Sequence, residues 1–244
     1  MESDGVAVLL DAGFSCRELE RRIRRIGADI RKLAAIVLTH EHEDHVRGAA
    51  RLSERWNLPI YATEGTLQGW PEAEQVAKRI VPVRSSGSFE VAERWRFEPF
   101  LVPHDAREPV GFIVENRSGQ RFGLAADLGY LGHLAEERLC DLDGVLLEFN
   151  HDLDMLRNGP YPWPLKQRVA GRLGHLANHD AARGLERVVS DRLRWVVAYH
   201  LSRVNNRPAL VEALLWEVLE RCGLRCEVVI ADQFEPSTWL EVIS

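Results

Sequence analysis

The stretch Thr39-His40-Glu41-His42-Glu43-Asp44-His45 decides how this chain is read. An apolar run, Ala34-Ala35-Ile36-Val37-Leu38, precedes it with the length and composition of a short buried strand. Val46, Ala49 and Ala50 follow at helical spacing, so the polar residues occupy a strand-to-helix turn. Three of the chain's nine histidines fall within the six residues His40–His45, a concentration that a solvated polar loop does not explain. Imidazole suits zinc and other borderline divalent ions; carboxylate suits these and harder ions. His40 and His42, two apart, can point to the same side of an extended segment. Asp44 and His45 fall on the turn and can face a second ion. The pattern therefore offers two metal half-sites.

Composition bounds the rest. A chain of 244 residues is expected to form a single α/β domain, residues 1–244, with a substantial core. Its 45% hydrophobic and 28% charged content is that of a soluble globular protein. No apolar stretch reaches the roughly 18 residues of a membrane span, and the short acidic start is unlike a signal peptide. Cys16, Cys140, Cys222 and Cys226 are scattered, which fits a reducing, cytoplasmic setting. Cys222 and Cys226 lack a matching Cys/His pair and read as buried thiols. A net charge of −6 argues against non-specific polyanion binding over the whole surface. A local cleft is still open to phosphate, because bound cations would supply positive charge there.

Outward from the turn, Val6–Leu10 reads as a strand ending at Asp11-Ala12-Gly13. Asp11 is either a turn former or a carboxylate that orients a metal-bound histidine, and both can hold together. Residues 17–26 read as a helix capped by Ser15, and its arginines as a solvated face or an anionic docking surface. The helix after the metal turn is expected to continue to about Trp56. A strand over 58–62, a helix over 64–77 broken at Trp70-Pro71, and strands at 89–91 and 95–100 follow. His104 leaves a strand just before another begins at Gly111. Strands are also expected to end at Asp127, at Glu148 and at His200. The Pro-rich segment 158–164 reads as an ordered loop, neither helix nor central strand. Helices are expected over 165–173, over 180–190 and from Pro208 to near Cys222, with terminal strands at 226–230 and 239–243. Strand-rich and helical segments alternate once in each half, which suits a four-layer αββα sandwich with its site where strand ends converge.

His40-x-His42-x-Asp44-His45 after a hydrophobic strand resembles the metal signature of the metallo-β-lactamase superfamily. The resemblance implies one ion held by His40, His42 and His104 and a second held by Asp44, His45 and His200. Asp127 would join them, since two carboxylate oxygens can reach two cations. Two divalent ions are implied, Zn²⁺ or Mn²⁺, with iron a further option. A hydroxide bridging the ions would be the nucleophile, because bound cations pull the pKa of water toward about 7.

Glu148 and His175 look like the pair of the tRNA 3′-end processing members, in which a carboxylate orients a histidine that protonates the leaving alkoxide. Asp44, Glu148 and His175 are thus the candidate catalytic residues. Residues 148–152, Leu165-Lys166-Gln167-Arg168, Gly174-His175-Leu176 and His200-Leu201-Ser202…Asn205-Asn206 together resemble a narrower bacterial family. This is the WalJ/YycJ-like metallo-hydrolases, regarded as 5′→3′ DNA exonucleases, and the likeness spans about residues 6–235. It implies DNA as substrate and no membrane partner. Asn150, His151, Lys166, Arg168 and Asn205 become candidates for substrate contact or support of the site. His151 reads equally as a structural histidine, and Lys166, Arg168 and Arg172 equally as a solvated helix face.

Members of that family begin with an extra strand and a Ser-Gly-Ser-x-Gly-Asn turn. Here the sequence starts almost at the next strand, so either its start is late or the first hairpin is absent. Without that turn, substrate affinity and support of the sheet edge are expected to suffer.

Three functions compete. The first is a metal-dependent phosphodiesterase acting on DNA. The second is a small-molecule hydrolase of the same fold, acting on a cyclic phosphodiester or a thioester. The third is a metal-binding regulatory or redox module. A diiron redox role usually replaces one imidazole by carboxylate, and none of the five expected histidines is replaced here.

Overall fold

The computed structural model describes residues 1–237 and 239–241. The chain forms two compact units, one of Met1–Leu101 with Ala106–Gly119, the other of Val102–Asp105 with the chain from Gln120 onward. Among the described residues no helix is long and apolar enough to cross a membrane.

The first unit is built on a five-stranded sheet in the order β1 (Glu2–Ser3), β2 (Val6–Leu10), β3 (Leu33–Val37), β4 (Ile60–Thr63), β5 (Ile80–Val83). The first pair is antiparallel and the rest are parallel. Parallel strands covered on both faces need continuous apolar runs, and the buried Ile36, Val37 and Leu38 meet that need. Helix α1 (Cys16–Arg25) starts where the Ser15 hydroxyl accepts the Glu18 N–H, and Glu18 in turn accepts Arg21 and Arg22. Helices α2 (Glu43–Val46), α3 (Ala49–Trp56) and α4 (Glu64–Gly69) complete this part, with 3₁₀ segments at Ile30–Lys32 and Pro71–Arg79. An antiparallel meander of β6 (Phe89–Val91), β7 (Trp95–Leu101) and β8 (Val110–Asn116) follows. Phe89 stacks between Tyr61 and Phe97, and Phe112 meets Phe97 edge-on.

The second unit alternates strand and helix: β9 (Arg121–Ala125), α5 (His133–Arg138), β10 (Gly144–Glu148), α6 (Leu153–Asn158), α7 (Trp163–Val169), α8 (Asn178–Val188), β11 (Trp195–Tyr199), α9 (Pro208–Arg221), β12 (Glu227–Ile230). Its four strands are parallel in sequence order. The C-terminal ends of β9, β10 and β11 deliver Asp127, Glu148 and His200 to one edge, where α/β sheets hold their ligands.

The structure corrects several expectations. The helix after the metal turn is not continuous to Trp56. It breaks at Gly48, whose N–H donates to the Ala12 carbonyl and whose added Cβ would lie 2.2 Å from the Phe14 carbonyl oxygen. Trp163 and Pro164 are not loop but the first turn of α7, because proline suits the start of a helix, where its missing N–H costs nothing. That helix already ends at Val169, and α6 and β5 were not foreseen. A two-residue β1 pairs with β2 across Asp4-Gly5, so β2 does carry a short antiparallel neighbour. Cys222 and Cys226 are only partly buried, since the α9 terminus and β12 leave them at the surface. Of the strand expected over 239–243, Trp239–Glu241 are not strand and the remainder lies outside the described residues.

Gly13 holds the β2 turn against α2. A Cβ there would lie 1.6 Å from the Asp44 carbonyl oxygen, a backbone atom fixed by the helix. Gly13→Ala should therefore cost at least about 2 kcal/mol of stability. Thermal unfolding checks this, and a melting temperature equal to the parent's would contradict it.

Candidate metal centre

In the first unit, β3 runs into Thr39 and His40, and α2 begins at Glu43. Asp11, just beyond β2, organises the turn. Its Oδ1 accepts the Thr39 N–H at 2.8 Å, and its Oδ2 accepts the Thr39 hydroxyl at 2.9 Å and His45 Nδ1 at 2.8 Å. Because the Thr39 proton is committed to Asp11, Thr39 Oγ1 accepts from His40 Nδ1, 3.0 Å away. These bonds fix Nδ1 as the protonated nitrogen of both His40 and His45, so Nε2 carries the lone pair of each. His40 Nε2 then faces His42 Nδ1 at 3.1 Å. Two imidazole nitrogens at that distance, one of them shown to be a lone pair, suit a shared cation. Asp44 lies one residue before His45, with a carboxylate oxygen 3.8 Å from His45 Nε2. Thr39 has no signal in the sequence beyond its place between the strand and the first histidine, and the sequence alone assigns it no role.

In the second unit, Asp127, Glu148, His175 and His200 gather with donor atoms within 4.8 Å of one another. Glu148 is fully buried. Its Oε1 accepts His175 Nδ1 at 2.9 Å and His200 Nδ1 at 2.8 Å; its Oε2 accepts the N–H groups of Leu128 and Leu176. Asp127 Oδ1 lies 2.7 Å from His200 Nδ1 and 3.2 Å from His175 Nδ1. Burial raises the Glu148 carboxyl, but hydrogen bonds from the two histidines outweigh it and hold the group below the usual carboxylate range. Burial lowers His175, but Asp127 and Glu148 reverse this and raise the imidazole to about 9. His104 donates from Nδ1 to the Gly174 carbonyl at 3.1 Å, which leaves the lone pair on Nε2. Burial pulls its pKa down and so favours the neutral imidazole, the form a metal ion would require.

Asp11, Asp127 and His200 share one backbone feature. Each follows a parallel strand and has φ between 49° and 60°. Non-glycine residues rarely adopt this conformation, and Asp and His tolerate it better than most.

The other candidates sit as follows. Asn150 donates to the His200 carbonyl. Lys166 donates to the Arg157 carbonyl, and Arg168 pairs with Asp105 at 2.7 Å. Asn205 is fully buried, its side-chain amide without a hydrogen-bond partner among the described residues. The reciprocal Asn178–Asn206 amide pair, which also donates to the carbonyls of Phe149 and Asn150, was missed. His151 is 1% exposed and both its ring nitrogens are buried without a partner among the described residues. Burial lowers it to about 4.

His151 makes a pH prediction. An unfolded histidine titrates near 6.5. Between that value and about 4 the unfolded chain takes up a proton that the folded one refuses, so stability falls as pH drops through this window. The loss attributable to His151 is about 2–3 kcal/mol. His151→Leu should shrink the decline in urea midpoint between pH 6.5 and 4 by that amount, and an unchanged profile would refute the assignment.

Residues 7–197 match the family model described as a beta-lactamase superfamily domain. The chain is 33% identical to Exodeoxyribonuclease YycJ of Bacillus anthracis over 228 residues, 91% of this chain and 84% of that protein. It is 32% identical to Exodeoxyribonuclease WalJ of Streptococcus pneumoniae over 231 residues, 92% of this chain and 84% of that protein. The chain belongs to the YycJ/WalJ family of the metallo-β-lactamase superfamily. Zn²⁺-bound PqqB from Methylobacterium extorquens shares the fold, with a TM-score of 0.68 at 20% identity over 99% of this chain and 85% of the other. The α/β metallo-β-lactamase fold expected from the sequence is borne out, and the chain is a hydrolase of that superfamily, whose fold implies divalent metal ions.

Proposed function

We propose that this family member is a binuclear metal-dependent phosphodiesterase that removes nucleotides from DNA in the 5′→3′ direction, the whole chain acting as one hydrolase domain. The observation that carries the reading is the buried Glu148 carboxylate with His175 bonded to it. The names of the curated relatives support DNA as the substrate. One ion would be held by His40, His42 and His104, the other by Asp44, His45 and His200, with Asp127 joining them. When bound, the ions would ionise a water for attack and neutralise charge on the phosphoryl oxygens.

The remaining work falls to the side chains. Asp11 and Thr39 keep His40 and His45 in the ligating tautomer. Glu148 fixes the His175 ring through Nδ1 at 2.9 Å, so that Nε2 is the nitrogen turned to substrate. The buried Glu148 carboxylate bonded to the ring favours the protonated imidazole, the form that can donate to a leaving alkoxide. β-Lactam hydrolysis has no comparable need for this acid, and nitrocefin turnover should be negligible beside turnover of DNA.

His175→Ala should lower kcat on DNA by about 10²-fold or more. It should matter far less for bis-p-nitrophenyl phosphate, because p-nitrophenolate departs without a proton. Metal content should stay at the parent's value. Equal losses on both substrates would mean that His175 binds or ligates rather than donates a proton.

Asp127→Ala and Asp127→Asn should both bring metal content below two ions per chain by plasma emission analysis. Two fully retained ions in either variant would overturn the bridging role.

A further inference from the structure

A cavity of ≈ 570 Å³ opens in the second unit beside His175 and His200. Its volume falls in the range of pockets for small ligands and exceeds the size of one nucleotide. One part of its lining comes from α7 and the turn before it, including Tyr161, Leu165 and Arg168; another comes from the turn after β11, Ser202 to Val204. Helix α7 buries none of its residues, so it serves the fold little and is available to a ligand.

The lining is chemically divided. Tyr161 and Leu165, both half-buried, offer an aromatic ring and an apolar side chain to a base. Arg168 already meets Asp105 at 2.7 Å, so its charge is matched within the cavity. Arg203 has no acidic partner among the described residues; its guanidinium lies 4.8 Å above the Phe234 ring, which holds it without neutralising it. Ser202 Oγ accepts the N–H groups of Val204 and Asn205, which directs its own proton away from the turn as a donor. An unmatched guanidinium next to a hydroxyl donor suits a phosphate.

We infer that this cavity holds the 5′-terminal nucleotide of the DNA strand, with its base on Tyr161 and its terminal phosphate on Arg203 and Ser202. The inference rests on the nuclease reading, with His175 as the acid. Removal of a 5′-terminal nucleotide forms a bond from the oxygen of water to phosphorus and breaks the bond from phosphorus to O3′ of that nucleotide. His175 gives its proton to O3′. The terminal nucleotide leaves as a 5′-monophosphate with a free 3′-hydroxyl, and the shortened strand keeps the new 5′-phosphate. The departing nucleotide is therefore the one next to His175, and the cavity on that side is its seat.

The test compares 5′-phosphorylated and 5′-hydroxyl oligonucleotides of one sequence, with the Mn²⁺-loaded protein. The parent should prefer the phosphorylated strand by about tenfold or more in kcat/KM. Arg203→Ala should erase most of that preference, and Arg203→Lys should restore part of it. Tyr161→Ala should raise KM on both strands by about tenfold, the scale of one lost stacking contact, while Tyr161→Phe keeps the parent value. Calorimetric titration with deoxythymidine 5′-monophosphate gives a readout independent of turnover: binding should weaken about tenfold in Arg203→Ala and Tyr161→Ala but not in Tyr161→Phe. Circular dichroism melts confirm that each variant is folded. Equal use of both strands by the parent, together with unchanged monophosphate binding in Arg203→Ala, would overturn the assignment. If the parent degrades neither strand, the nuclease reading itself fails. The titration then decides the cavity alone, weakened binding in the two alanine variants supporting it and unchanged binding refuting it.

Discussion

The second unit depends on one buried carboxylate. Glu148 is removed from water, and all four of its close partners are donors: two imidazoles and two backbone N–H groups. A carboxylate desolvated without such partners would cost several kcal/mol or take up a proton. With them it stays ionised and ties together the segments after β9, before α8 and after β11. Those segments meet at the edge of the sheet because three parallel strands end there in register. The same contact that secures the turns also orients His175 and His200, so stability and chemistry draw on one group.

The first unit repeats the device with a different acid. Asp11 binds the backbone and hydroxyl of Thr39 and the imidazole of His45, and through Thr39 it reaches His40. In both units a carboxylate bonded to Nδ1 decides which imidazole nitrogen is left with the lone pair. In the proposed site the histidines would supply the affinity for metal, and the carboxylates supply their orientation.

Most of the parallel strands were legible as short apolar runs, several closed by a polar residue, as in Val145-Leu146-Leu147 before Glu148, whereas β5 is interrupted by Pro82 and was not. The histidine cluster was legible from spacing alone. Asp11 was visible as a carboxylate at a strand end, whereas pairing Glu148 with His175 required a family likeness, since 27 positions separate them and only the fold brings them together. The break at Gly48 was hidden because apolar periodicity continues through it; what diverts the Gly48 N–H from the helix is the Ala12 carbonyl, a backbone atom distant in sequence. Trp163-Pro164 misled because proline density was read as loop without asking whether the proline falls in a first turn. Thr39 and the Asn178–Asn206 pair carry no local signature, for their role is set by partners remote in sequence.

The left-handed backbone at Asp11, Asp127 and His200 has a consequence for reading mutational scans. At these positions a residue supplies both a functional group and an energetically costly bend, and the two requirements favour overlapping but unequal sets of amino acids. Glycine would keep the bend and lose the group; a β-branched residue would lose both; asparagine would keep the bend and most of the shape while discarding the charge. Alanine at Asp127 therefore conflates chemistry with conformation. A tolerance profile in which glycine and asparagine outscore valine and isoleucine would mark a position as conformationally demanding, separately from whatever it does for the metal ions.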